Sequence, residues 1–182
     1  MTDALELFFD TASQAAVRAI WGNLEARGLR SMATTSHGRH RPHVSLTVAD
    51  RITPAQARAA VEPFRTANDL SLRLGSIAVF PGRQGVIYLS VVPTLRLLRL
   101  HREVHASLVG AGVESGRHYL PDAWVPHCTL AQGLTADEVT TGVRAVKRLR
   151  PIEADIVSVG IVDTETGAVT IIAELPHSAS AD

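Results

Sequence analysis

Apolar positions along this chain follow two rhythms, a helical one and an alternating one, and the order in which they occur is used twice. Residues 4–9 are short and apolar and read as a strand. Behind a candidate N-cap at Thr11, Ala15, Val17, Ile20, Trp21 and Leu24 recur at helical spacing and stop at Gly28. Residues 31–41 are polar, irregular and rich in His and Arg, and 43–48 read as a strand. Thr53-Pro54 opens a helix expected to run to about Thr66, with proline at its first position. Residues 70–80 alternate like a strand, Pro81-Gly82 marks a turn, and Arg83-Gln84-Gly85 leads into a second strand over 86–92.

The order then begins again. Pro93-Thr94 opens a helix that ends at Gly110-Ala111-Gly112, and an irregular polar stretch covers 114–122. Next come a strand at His127 and a helix opening at Thr135-Ala136-Asp137, with Val139, Val143 and Val146 at helical spacing. A hairpin over 152–162 and 168–175, turning at Thr166-Gly167, closes the chain. The tail from Pro176 onward is small and polar and is expected to fray.

Superposed, the halves keep one register. Gly28 and Gly112, Ser31 and Ser115, Pro42 and Pro126, His43 and His127, Ser45 and Thr129, and Ile77 and Ile161 all stand 84 residues apart. This points to one domain over 1–182 built from two repeats, about 4–80 and 86–164, with an added strand at 168–175. Copies related in this way usually pack about an approximate two-fold axis. Pro42-His43-Val44-Ser45-Leu46 and Pro126-His127-Cys128-Thr129-Leu130 would then meet in a central cleft. Side chains two apart on a strand share a face, so each copy presents one imidazole and one hydroxyl while its apolar neighbours face the core. A third match, His105-Ala106-Ser107-Leu108, lies in a helical stretch. There two residues span about 200° of rotation, and His105 and Ser107 point apart.

The chain has 182 residues, 46% of them apolar, and 18 basic side chains balance 18 acidic ones. That is ample for one core. Zero net charge leaves no global basic field for long nucleic acid, so a nucleic-acid substrate would be short or held by one end. A single cysteine excludes an internal disulfide and fits a reducing compartment. The start, MTDALELFFD, lacks a basic leader and a long apolar run, and no stretch is long enough to cross a bilayer. The expectation is a soluble cytoplasmic protein with no membrane contact and no obligatory protein partner.

Two imidazoles facing one phosphorus can divide acid and base work at neutral pH, and two hydroxyls can donate to its non-bridging oxygens. Which histidine takes which role is not legible in the sequence. The paired motifs resemble those of the 2H phosphoesterase superfamily, which includes RNA 2′,3′-cyclic phosphodiesterases, also called 2′-5′ RNA ligases. The likeness covers essentially the whole chain. It implies a duplicated, two-lobed α+β fold with mainly antiparallel sheets, pseudo-two-fold about a central cleft, with helices outside. It also implies His43 and His127 as catalytic imidazoles, Ser45 and Thr129 as phosphate-binding hydroxyls, and a nucleotide or RNA-end substrate. By the same analogy His127 activates water, His43 protonates the 3′ oxygen and a 2′-phosphate is the product, with reversible 2′-5′ RNA ligase activity as a further expectation. One departure stands out: many RNA-ligase-like members carry an arginine shortly after the second motif, where this chain reads Ala131-Gln132-Gly133.

Other residues have competing uses. Arg41, two before His43, is aimed at the cleft if the chain is extended there, and is otherwise a solvated loop residue. Tyr119 and Trp124 are candidates for stacking on a base, with core packing as the alternative. Trp124 stands an odd number of places from His127 and is expected to face away from it. His37, His40 and His43, with Cys128, would have to converge tetrahedrally to hold zinc, and neither spacing is a zinc pattern, so no metal or other cofactor is expected. Arg144, Lys147, Arg148 and Arg150 cluster near a helix C-terminus, where cations suit the dipole, and read as a solvated face. Three functions remain: a metal-independent phosphodiesterase, a non-catalytic nucleotide or RNA-end binding module using the same cleft, and a metal-dependent hydrolase.

Overall fold

A computed structural model of the chain describes residues 2–67, 70–82 and 84–176. The turn residue Arg83 and the tail beyond Pro176 lie outside the described residues. The elements run β1 (Asp3–Phe9), α1 (Thr11–Glu25), β2 (His43–Ala49), α2 (Pro54–Ala60), α3 (Glu62–Arg65), β3 (Ser71–Phe80), β4 (Gly85–Val91), α4 (Leu95–Gly110), a 3₁₀ turn (Arg117–Tyr119), β5 (His127–Leu134), α5 (Ala136–Val146), β6 (Ile152–Asp163) and β7 (Val169–Glu174). This is the expected α+β architecture, and every strand pairing is antiparallel.

Two details of the helices differ from expectation. The N-cap of α1 is Asp10, whose Oδ1 accepts the Ser13 N–H at 2.9 Å, so Thr11 is already the first helical residue. The helix opened by Thr53-Pro54 breaks at Val61 and resumes as α3. Pro63 explains the break, because it has no N–H to donate and its ring collides with the preceding turn. Thr53 and Gln56 form a capping box on α2, as Thr135 and Glu138 do on α5. Gly28 and Gly112 adopt φ of 76° and 78° just past α1 and α4, which any side chain would strain.

The strands are ordered β2-β1-β6-β3-β4-β5, with β7 added alongside β6. That order reads the same when β1, β2 and β6 are exchanged for β4, β5 and β3. β6 joins the two parts: Ile152–Asp155 pair with β3, and the rest lies between β1 and β7. Helix α1 packs with α5 and α2 with α4. The main core takes Leu5, Leu7 and Phe9 of β1, Val44 and Leu46 of β2, Leu89 and Val91 of β4, and Cys128 and Leu130 of β5. The other face of β1 carries Ala4 and Phe8 in a small separate cluster with Val162. Glu6 lies between them on that face, and it is this face that looks into the cleft.

Candidate active site

Alternation along β2 and β5 decides what each motif presents. Val44, Leu46, Cys128 and Leu130 are buried, while His43, Ser45, His127 and Thr129 are half-buried on the opposite face. These four side chains line one cavity of about 670 Å³. Cross-strand register sets Phe8 opposite His43 and Glu6 opposite Ser45, and in the other half Ser90 opposite His127 and Tyr88 opposite Thr129.

Both imidazoles are anchored alike. Nδ1 of His43 lies 2.6 Å from the carbonyl of Arg41, and Nδ1 of His127 lies 2.7 Å from the carbonyl of Val125, each two residues upstream. A carbonyl only accepts, so each Nδ1 carries a hydrogen and donates it. Nε2 is therefore the nitrogen that gains and loses a proton on each ring. Their surroundings differ. Nε2 of His43 faces Oε1 of Glu6 at 3.3 Å, and Glu6 is only 5% exposed. His127 is held edge-on by Phe80 and Tyr88, with ring centroids 4.9 and 5.1 Å away. Burial lowers its basicity below the ordinary histidine value, the Val125 carbonyl opposes that, and the charge of His43 adds to it.

The hydroxyl-bearing residues are fixed through their backbones by two indoles. Trp124 Nε1 donates to the Ser45 carbonyl at 3.0 Å, and Trp21 Nε1, from α1, donates to the Thr129 carbonyl at 3.3 Å. Trp124 also stacks on His101 of α4, with centroids 3.9 Å apart and planes 4° from parallel. Contrary to expectation, Trp124 does line the cavity. Residues 121–123 form a turn and 124–126 are irregular, and the parity that governs a strand has no force there. Tyr119 lines the cavity as well and hydrogen-bonds the Ser45 side chain. Burial, the charge of Glu6 and that bond act together on its phenol, the first two raising its pKa and the last opposing them.

Arg41 is half-buried, and its guanidinium lies 4.9 Å over the Phe8 ring, outside the cavity wall. His37 and His40 do line the cavity, with rings 4.2 Å apart. Burial, reinforced by His37 and His43, pushes His40 down to about 4. Cys128 is on the far side of β5, where burial pushes its thiol up to about 12. Among the described residues no group of three or more His, Cys, Asp or Glu side chains is placed to hold a metal ion. His105 lies on α4, away from the cavity, and Arg144, Lys147, Arg148 and Arg150 are not part of its wall.

Glu6, Phe80 and Gln132 also line the cavity, and none was singled out as a site residue from the sequence. Glu6 had left a signal: within Ala4-Leu5-Glu6-Leu7-Phe8-Phe9 it is a lone carboxylate in an otherwise apolar strand. A second cavity of about 520 Å³ adjoins the first across Val86 and Gln132, with Arg30, Thr35 and Gln84 on its walls.

Residues 9–168 match the family model of the 2′-5′ RNA ligase superfamily. Over 118 residues the chain is 29% identical to a Bacillus cereus (strain B4264) protein named as a candidate phosphoesterase, and over 118 residues it is 30% identical to a similarly named protein of Bacillus cytotoxicus. Each match takes in 63% of this chain and 64% of the relative, so the chain spans less than two thirds of the relatives' length. Among solved structures, TT0787 of Thermus thermophilus shares the fold with a TM-score of 0.61 at 16% identity, covering 98% of this chain and 100% of that one. E. coli LigT, solved with 3′-AMP, shares it with a TM-score of 0.55 at 8% identity over 97% of each chain.

Proposed function

The chain belongs to the 2′-5′ RNA ligase superfamily, within the 2H phosphoesterases, and on that premise we propose that it is a metal-independent phosphodiesterase. Its substrate is a 2′,3′-cyclic phosphate or a 2′-5′-linked nucleotide at an RNA end. The observation that carries this reading is the matched pair of imidazoles on one cavity, each with Nδ1 tied to a carbonyl and Nε2 left to titrate. Nucleotide ligands in solved structures of E. coli LigT, 3′-AMP and NADP+, support the substrate class. The paired organisation of strands supports two repeats, over about 4–80 and 86–164.

In the reaction His127 takes a proton from water as the oxygen attacks phosphorus. The bond from phosphorus to the 3′ oxygen breaks, and His43 protonates that oxygen, leaving a 2′-phosphate. His127 suits the base role because burial favours its neutral form. Ser45 and Thr129 donate to the non-bridging oxygens, where charge builds up in the transition state. Each imidazole is expected to supply about 10²–10⁴-fold. With a 5′-hydroxyl end in place of water, the same groups join it to the cyclic phosphate as a 2′-5′ linkage, the 3′ oxygen again leaving with a proton from His43. No helix among the described residues is long and apolar enough to cross a membrane, and the proposed setting is the cytoplasm.

The test is turnover of nucleoside 2′,3′-cyclic phosphates in EDTA with the products mapped. A pure 2′-phosphate supports the reading. Tight binding without turnover at any pH, or turnover that needs an added metal, overturns it.

A further inference from the structure

The cavity contains a carboxylate that the two-histidine scheme leaves unused. Glu6 is buried on the cleft face of β1, opposite Ser45, and its Oε1 lies 3.3 Å from Nε2 of His43. Because the Arg41 carbonyl already takes the Nδ1 hydrogen, Glu6 stands against the one nitrogen of that ring that exchanges a proton. His127 has no such carboxylate among the described residues, only the edges of Phe80 and Tyr88. The two imidazoles are thus anchored alike but equipped differently.

Resting on the function proposed above, we propose that Glu6 is a positioning residue for His43. Its carboxylate and Nε2 share one proton, which keeps His43 supplied as the acid of the reaction. The neighbours agree. Burial works against the ionised form of Glu6, while His43 and Arg41 both favour it. His40, from the same loop, and His127, from β5, also interact with His43, and a charge on His43 lowers the basicity of both. Tyr119, from the 3₁₀ turn, and Cys128, from β5, feel the charge of Glu6, and both are uncharged at neutral pH. On the remaining side β6 sets Gly160 opposite Glu6 and adds no charge. Burial raises the Glu6 carboxyl above its ordinary range, and His43 is the first of the two charges that oppose that rise.

In the chemical step the Nε2–H bond breaks, the bond from phosphorus to the 3′ oxygen breaks, and a new O–H bond forms. That leaves neutral His43 beside an ionised, buried Glu6. An uncompensated buried carboxylate is costly, so the pair takes a proton back from solvent and is ready again.

The experiment is the pH profile of kcat/KM for cytidine 2′,3′-cyclic phosphate with Glu6→Gln, which keeps the shape and removes the charge. The basic limb, set by the acid, is expected to move down once the charge beside it is removed. The acid limb, set by His127, moves less. Glu6→Asp is expected to restore part of the shift. A uniform loss at every pH, or a basic limb that stays in place, overturns the proposal. Should Glu6→Gln fail to fold, carbon-13 NMR of the Glu6 carboxyl still decides. In His43→Ala its titration is expected to move further up, and an unchanged titration overturns the pairing. If His43→Ala turns over as fast as the unsubstituted chain, the two-histidine reading itself has failed. If it is inactive while Glu6→Gln has an unmoved profile, only the role of Glu6 is lost.

Discussion

Trp124→Phe separates two things that the indole does at once. The phenyl ring keeps an aromatic face against His101, stacked at 3.9 Å in the native chain, but has no donor for the Ser45 carbonyl, 3.0 Å from Nε1. Trp124 is 6% exposed, so the orphaned carbonyl has little water to turn to. Leaving one buried backbone acceptor unpaired costs about 1–3 kcal/mol. In a chain of this size that corresponds to about 2–4 °C in Tm per kcal/mol. Trp124→Ala loses the ring as well and is expected to cost about 3–5 kcal/mol. Urea unfolding at pH 7.5 gives both values, provided the midpoint moves while the slope does not. Because the bond fixes the strand that carries Ser45, Trp124→Phe should also lower kcat more than it raises KM. A Trp124→Phe protein as stable as the unsubstituted chain would refute the role given to the indole N–H.

Three further outcomes are expected. His101 is buried and held down to about 4, while the unfolded chain takes up a proton near 6.5. As pH falls through that window only the unfolded state gains a proton, so about 3 kcal/mol of stability is lost between them; unfolding of His101→Gln should show a correspondingly flatter pH dependence, and an equal slope would count against it. Cys128, buried with its thiol pushed up to about 12, should resist thiol reagents at pH 8 in the native chain and react fully in denaturant. Ser45→Ala and Thr129→Ala should each lower kcat by about 10²–10³-fold, the usual cost of one transition-state donor, with unfolding midpoints near that of the parent chain.

Much of the site could be read in the sequence because alternation on a strand is a local rule. His43, Ser45, His127 and Thr129 share a face with their partners, while Val44, Leu46, Cys128 and Leu130 go to the core, as period two requires. His105 was separable from them for the same reason, since it lies on α4. What escaped depends on relations that are not local. Glu6 meets His43 through the register of β1 on β2, which distant hydrogen bonds set. Trp124 enters the cavity because a turn and an irregular segment, not a strand, precede His127, and strand parity does not apply there. Arg41 turns to Phe8 instead of the cavity wall. The break at Val61 was local, and Pro63 was the signal for it.

The central claim is that His43 and His127 act on one phosphorus as a unit. The direct measurement is kcat/KM on a nucleoside 2′,3′-cyclic phosphate in EDTA for His43→Ala, His127→Ala and the double variant, each checked for native circular dichroism. Each single substitution should cost about 10²–10⁴-fold. Groups that work as a unit are not additive, so the double variant should be little slower than the worse single one. A single variant with turnover near that of the unsubstituted chain, or losses that multiply in the double variant, would contradict it.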